Sequence, residues 1–109
     1  MEIKEQDRFY IITPLSSKLD RRESLRLEEE IEKNINRQVG LDLSFVQDCT
    51  IEFIDTLIKL KNVSLFNIQS DIFSLLLNMN LDKVVNLFVS EIDFTENKHK
   101  LLNRKFRLV

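Results

Sequence analysis

The stretch Gly40–Lys61 changes its hydrophobic period part-way along, and few folds accommodate such a change. Val39, Leu41 and Leu43 are apolar, while Gly40, Asp42 and Ser44 are small or polar. That period of two belongs to a strand with one face buried. From Ile51 onward, Ile51, Ile54, Leu57 and Ile58 recur at spacings of three and four, flanked by Phe53 and Leu60. This is the period of a helix laid on a core. The link Gln47-Asp48-Cys49-Thr50 carries three residue types suited to capping a helix start. The stretch therefore predicts a strand, a loop and a helix N-terminus. Such a junction exposes unpaired N–H groups and the positive end of the helix dipole, which makes it a natural binding surface.

The flanking chain repeats the theme. Arg8–Thr13 is β-branched and aromatic and predicts a strand, with Met1–Lys4 as a short edge strand before it. Pro14 and Ser16-Ser17-Lys18 end that strand. Asp20 followed by Glu23 forms a capping box, so a helix starts at Arg21. Its apolar stripe is Leu27, Ile31 and Ile35 with Leu25 beside them, and Glu28, Glu29, Glu30 and Glu32 make an outer face that reads as solvated or, alternatively, as a partner-facing acidic surface. Val63–Phe66 predicts a strand. Ser70 or Asn67 caps a helix over 71–79, with Ile72, Leu75, Leu76 and Met79 inward, and Lys83–Val89 predicts another strand. Alternating strands and helices argue for parallel strands joined by right-handed crossovers. Polar residues on the second faces of the strands place helices mainly on one side of the sheet.

Composition narrows the function. The 109 residues suit one domain, with a net charge of −2. A single cysteine excludes an internal disulfide and agrees with a reducing compartment. Gly40 and Pro14 are the only residues of their kinds, so there is neither a P-loop nor a dinucleotide fingerprint. Turns fall to asparagines such as Asn62, Asn67, Asn78 and Asn80. The first residues are charged and no apolar run approaches the ~20 residues of a membrane span, so a cytoplasmic protein without direct membrane insertion is expected. Residues 98–109 carry +5, leaving −7 on the remainder. The acidic whole and the lack of an aromatic–basic motif argue against nucleic-acid binding. Arg104–Val109 alternates and reads as a last strand or a solvated basic tail. His99 is the only histidine, and nothing brings it to Cys49 to make a nucleophile pair. Asp42, Asp48, Glu52 and Asp55 are the one candidate cluster for a hard cation, and helix caps explain them at least as well. No enzyme activity, metal or cofactor is expected.

Asp42-Leu43-Ser44-x-Val46, followed by a short motif opening a helix, resembles the STAS domain of bacterial anti-sigma factor antagonists and sulphate transporters. The pattern of that family runs roughly Asp-Leu-Ser-x-Val-x-x-x-Asp-Ser-Ser-Gly-Leu. Leu19-Asp20 before an acidic helix and Lys61-Asn62-Val63-Ser64-Leu65 stand where the family has matching elements, and Ser90–Phe94 stands where it opens a final helix. The resemblance spans nearly the whole chain. It implies an α/β fold with a mixed sheet of about four to five strands and helices mainly on one face. It also implies a non-catalytic module that docks on a regulatory protein, such as a kinase-type anti-sigma factor, through Asp48, Cys49, Thr50, Ile51, Glu52 and Asp55. The alternative it implies is an accessory subunit of a transporter such as a lipid-transport ATPase. The family's phosphorylated serine is missing. Ungapped, Thr50-Ile51-Glu52-Phe53 replaces Asp-Ser-Ser-Gly and Ile51 falls at the acceptor place; with a two-residue gap, Cys49 falls there. Thr50 is left as the possible phosphoacceptor, although a capping role explains it more simply.

Overall fold

The computed structural model describes residues 1–60 and 62–97. The basic segment 98–109, with His99 and the strand expected over Arg104–Val109, lies outside the described residues. Strands β1 (Glu2–Gln6), β2 (Phe9–Thr13), β4 (Gln38–Asp42), β6 (Val63–Phe66) and β7 (Asn86–Leu87) form one sheet in the order β1-β2-β4-β6-β7. β1 runs antiparallel to β2, and every later pairing is parallel. The sheet is therefore mixed. Asp7, in the left-handed region at φ 55°, turns the chain between β1 and β2.

Three helices make the crossovers: α1 (Arg21–Glu32) between β2 and β4, α2 (Ile51–Leu60) between β4 and β6, and α3 (Ser70–Asn78) between β6 and β7. Each parallel strand is added beyond the last in the same direction. Right-handed crossovers that all advance one way place their helices on one face. The core follows: Leu27 and Ile31 from α1, Phe53, Ile54 and Leu57 from α2, and Ile72 and Leu76 from α3 pack on Tyr10, Ile12, Val39, Leu41, Val63, Leu65 and Leu87. On the opposite face a smaller cluster of Phe9, Ile11, Phe66 and Phe88 is covered by Phe94 of the short helix α4 (Glu91–Glu96). The alternation read in β4 is present, with Val39, Leu41 and Leu43 all on the main core face.

Several local expectations shift. Half of the capping box holds at α1: the Asp20 carboxylate accepts the Glu23 N–H at 3.0 Å, while the Glu23 carboxylate accepts from Arg26 at 3.2 Å. Leu25 and Ile35, placed in the α1 stripe by their spacing, are 52% and 68% exposed, and Ser24 is buried instead. Ile35 leaves the stripe because the helix ends at Glu32. At α3 neither expected cap acts: the helix begins after Gln69, with no side-chain cap, and the Asn67 side chain bonds Asp42 instead. Asn67 and Asn80 do adopt left-handed conformations, as does Asn97, but Asn78 does not. Instead of a strand over Lys83–Val89, a 3₁₀ turn occupies Leu81–Lys83 and only Asn86–Leu87 pairs as strand. After Asn80 turns the chain, Leu81 and Val85 are drawn into the core, leaving little length for the ladder.

Candidate functional site

The parallel strands β2, β4, β6 and β7 end at a common edge of the sheet, where the loops leading to α1, α2, α3 and α4 emerge. Ligand crevices in open α/β sheets form where the strand order reverses. Here the order advances without reversing, so the edge offers a surface rather than a cleft. The link expected as a free capping loop is stitched down. Asp48–Cys49 forms β5 and pairs in parallel with β3 (Lys18–Leu19). Around that pair, the Gln47 and Asp48 N–H groups donate to the Ser17 carbonyl at 2.7 and 3.1 Å, and the Thr50 N–H donates to the Leu19 carbonyl at 3.0 Å. The start of α2 is thereby fixed against the start of α1.

The six candidate residues fall into two groups. On the loop side, Asp48 is exposed and its carboxylate accepts the Cys49 N–H at 2.9 Å. Cys49 is half-buried, and burial, followed by the charge of Asp48, pushes its thiol up to about 11. Thr50 does not cap α2 with its side chain. Its hydroxyl donates to the Leu19 carbonyl at 3.3 Å, and its side chain is close enough to Glu52 to favour the charged carboxylate. Ile51, the first residue of α2, is 56% exposed.

On the groove side, Glu52 and Asp55 line a shallow hollow of about 180 Å³ between α1 and α2, together with Arg21, Leu25, Glu28 and Lys59. The Thr50 side chain, then its own backbone N–H, and the nearby Arg21 hold the Glu52 carboxyl below the usual carboxylate range. Lys59 pairs with Glu28 at 2.5 Å, which raises its pKa and ties the two helices together.

Asp42 stands apart from both groups. Its carboxylate accepts the Ser44 N–H at 3.0 Å and the Asn67 side-chain amide at 3.1 Å. Among the described residues no group of three or more His, Cys, Asp or Glu gathers as a metal site. The four acids weighed as a hard-cation cluster are thus not brought together.

The exposure of Ile51 corrects the expected face of α2. The buried residues are Phe53, Ile54, Thr56 and Leu57, while Ile58 is 42% exposed. Phe53, Thr56, Leu57 and Leu60 are spaced i, i+3, i+4 and i+7, a stripe as regular as the one built on Ile51. The larger Phe53 ring goes inward, and Ile51 and Ile58 are left outside. Sequence reasoning also passed over Leu15 and Phe45, two large apolar side chains exposed on the loops leaving β2 and β4. Phe45 continues the alternation of Val39, Leu41 and Leu43, but the chain leaves the strand after Asp42 and Val46 is buried in its place.

A thiol held near 11 carries about a hundredfold less thiolate at neutral pH than one at the ordinary 9.0. Cys49 is therefore expected to react with an alkylating reagent about tenfold more slowly in the folded chain than in denaturant, because the greater nucleophilicity of a high-pKa thiolate offsets part of the loss. Equal rates would contradict the burial seen here.

No family model matches the chain, and no curated protein matches it by sequence. Solved structures do. A crystal structure of a candidate anti-sigma factor antagonist from Thermotoga maritima superposes with a TM-score of 0.76 at 17% identity, over 88% of this chain and 92% of that one. The solution structure of the same protein gives 0.74 at 16% identity, over 86% and 84%. This chain has the STAS fold. The mixed five-stranded sheet with its helices mainly on one face is the architecture that the Asp42-Leu43-Ser44-x-Val46 resemblance implies. Among the described residues no helix is long and apolar enough to cross a membrane.

Proposed function

We propose that the chain is a non-catalytic docking module of the anti-sigma factor antagonist kind. It meets a regulatory protein in the bacterial cytoplasm through Asp48, Cys49, Thr50, Ile51, Glu52 and Asp55. One observation carries this reading: Ile51, a large apolar side chain, is exposed at the first position of α2 with acids on either side of it in the chain. A single exposed isoleucine is ordinary on a protein surface. One at a helix start fixed by β3 and β5 is pre-positioned, and a partner that buries it gains apolar area without reordering the loop. Asp48, Glu52 and Asp55 then favour a partner with a complementary basic rim. The fold shared with the Thermotoga protein supports the same kind of role. The STAS resemblance makes a kinase-type anti-sigma factor the partner class.

Phosphorylation at this helix start would add about two negative charges beside Asp48, Glu52 and Asp55, and desolvating them would oppose docking of the apolar Ile51. This chain offers Ile51 or Cys49 at the acceptor place, and the hydroxyl of Thr50 donates to the Leu19 carbonyl. Docking is therefore constitutive with respect to that route.

Calorimetric titration against a kinase-type anti-sigma factor from the same genome tests the reading. Ile51→Asp is expected to weaken binding by about 2 kcal/mol, roughly thirtyfold, and Glu52→Lys by about 1 kcal/mol. Melting temperatures should hardly move, because neither side chain is part of the core. Unchanged affinity in both variants would place the interface elsewhere. A phosphate found on Thr50 by mass spectrometry after incubation with the kinase would restore the switch. Stable capture of a transport ATPase subunit in place of the kinase would reassign the module as a transporter's accessory subunit.

A further inference from the structure

Beside the proposed docking surface, the start of α3 and the turn between β7 and α4 enclose a second hollow, of about 320 Å³. Ile68, Phe73, Phe88 and Val89 give it apolar walls, and Asn67 and Ser70 complete the lining. Its size lies at the bottom of the range for small-molecule pockets, roughly 300–1,000 Å³. Its border is acidic. Asn67 holds Asp42 at 3.1 Å, and exposed Asp71 follows Ser70. Ser90, next to Val89, bonds Asp93 at 3.1 Å. None of the described residues lining the hollow is basic.

We infer that this hollow is a socket for one bulky apolar side chain flanked by Lys or Arg on a partner protein. The apolar walls take the anchor, and the carboxylates of Asp42, Asp71 and Asp93 supply the complementary charge. The inference rests on the docking reading only in taking the partner to be a protein, and it uses none of residues 48–55.

The test is methyl NMR on the full chain, titrated with the peptide Lys-Lys-Leu-Lys-Lys and with its Glu-Glu-Leu-Glu-Glu counterpart, both with blocked ends. The basic peptide is expected to shift the methyl signals of Ile68 and Val89 saturably, and more strongly at low salt. The acidic peptide should leave them in place. Val89→Lys, at a position 54% exposed, should weaken the basic peptide at least about tenfold, whereas Glu52→Lys should leave its affinity unchanged. Weaker kinase binding on Glu52→Lys with the peptide bound as before would separate the two surfaces. Equal shifts from both peptides, or none from the basic one, would overturn the assignment. So would Ile68 and Val89 signals that move with protein concentration alone, which would mean that a second copy fills the socket.

Discussion

Truncating Phe53 to alanine is expected to lower the unfolding free energy by about 3–5 kcal/mol. The ring has no exposed surface and lies among the largest fully buried side chains, on the face of α2 that packs against the sheet. Removing it withdraws the transfer free energy of a whole phenyl group and leaves a cavity that fixed neighbours fill only in part. A domain of this size has about 5–15 kcal/mol in total, so the variant should lie close to its unfolding transition at 37 °C. Ile51→Ala on the same helix is the control, and should change stability by no more than about 0.5 kcal/mol. Urea unfolding followed by circular dichroism measures both. The pair decides the rotation of α2, because the sequence permits two apolar stripes and only one can face the sheet. A small loss at Phe53 with a large one at Ile51 would turn the helix over. It would also remove the side chain on which the docking proposal stands.

That ambiguity shows where sequence reasoning reached and where it stopped. The β4 alternation and the Asp20–Glu23 box were legible because each is settled within a few neighbouring residues, by the pleat or by one hydrogen bond. The face of α2 was legible only in part: Ile54 and Leu57 of the expected stripe are buried, but Ile51 and Ile58 give way to Phe53, since stripes led by Ile51 and by Phe53 both satisfy helical spacing. Only the packing against α1 and the sheet separates them. The β3–β5 pair was illegible for a different reason. Two residues before α1 meet two residues before α2, and neither dipeptide carries a strand signal of its own. Its consequence falls on the candidate site: residues 48–50 are held by Ser17 and Leu19 rather than capping α2 with their side chains. The acid-bordered hollow likewise draws on the β6–α3 and β7–α4 turns, which no local pattern joins.

Gly40→Val is expected to cost about 3 kcal/mol, the upper end of what overpacking a well-filled core usually costs. Gly40 does not have a left-handed φ, so the position needs glycine for room rather than for backbone freedom. A Cβ there would sit 2.7 Å from a ring carbon of Phe94 and 2.9 Å from one of Phe66. The Phe66 and Phe94 rings stack with centroids 5.5 Å apart, and Phe9 and Phe88 meet Phe94 edge-on at 5.3 and 5.9 Å. Phe66 is held by β6, paired on both sides. The element free to yield is therefore α4, six residues long and capped by Ser90. Lifting α4 would uncover the smaller of the two clusters and strain the Lys4–Glu91 pair. A double-mutant cycle locates the clash. In the valine background, Phe94→Leu shortens the obstructing side chain and should recover about 1 kcal/mol that it does not give in the parent chain, a coupling typical of residues in contact. Urea unfolding of the four proteins reads it, and strictly additive losses would mean that α4 does not lie over Gly40.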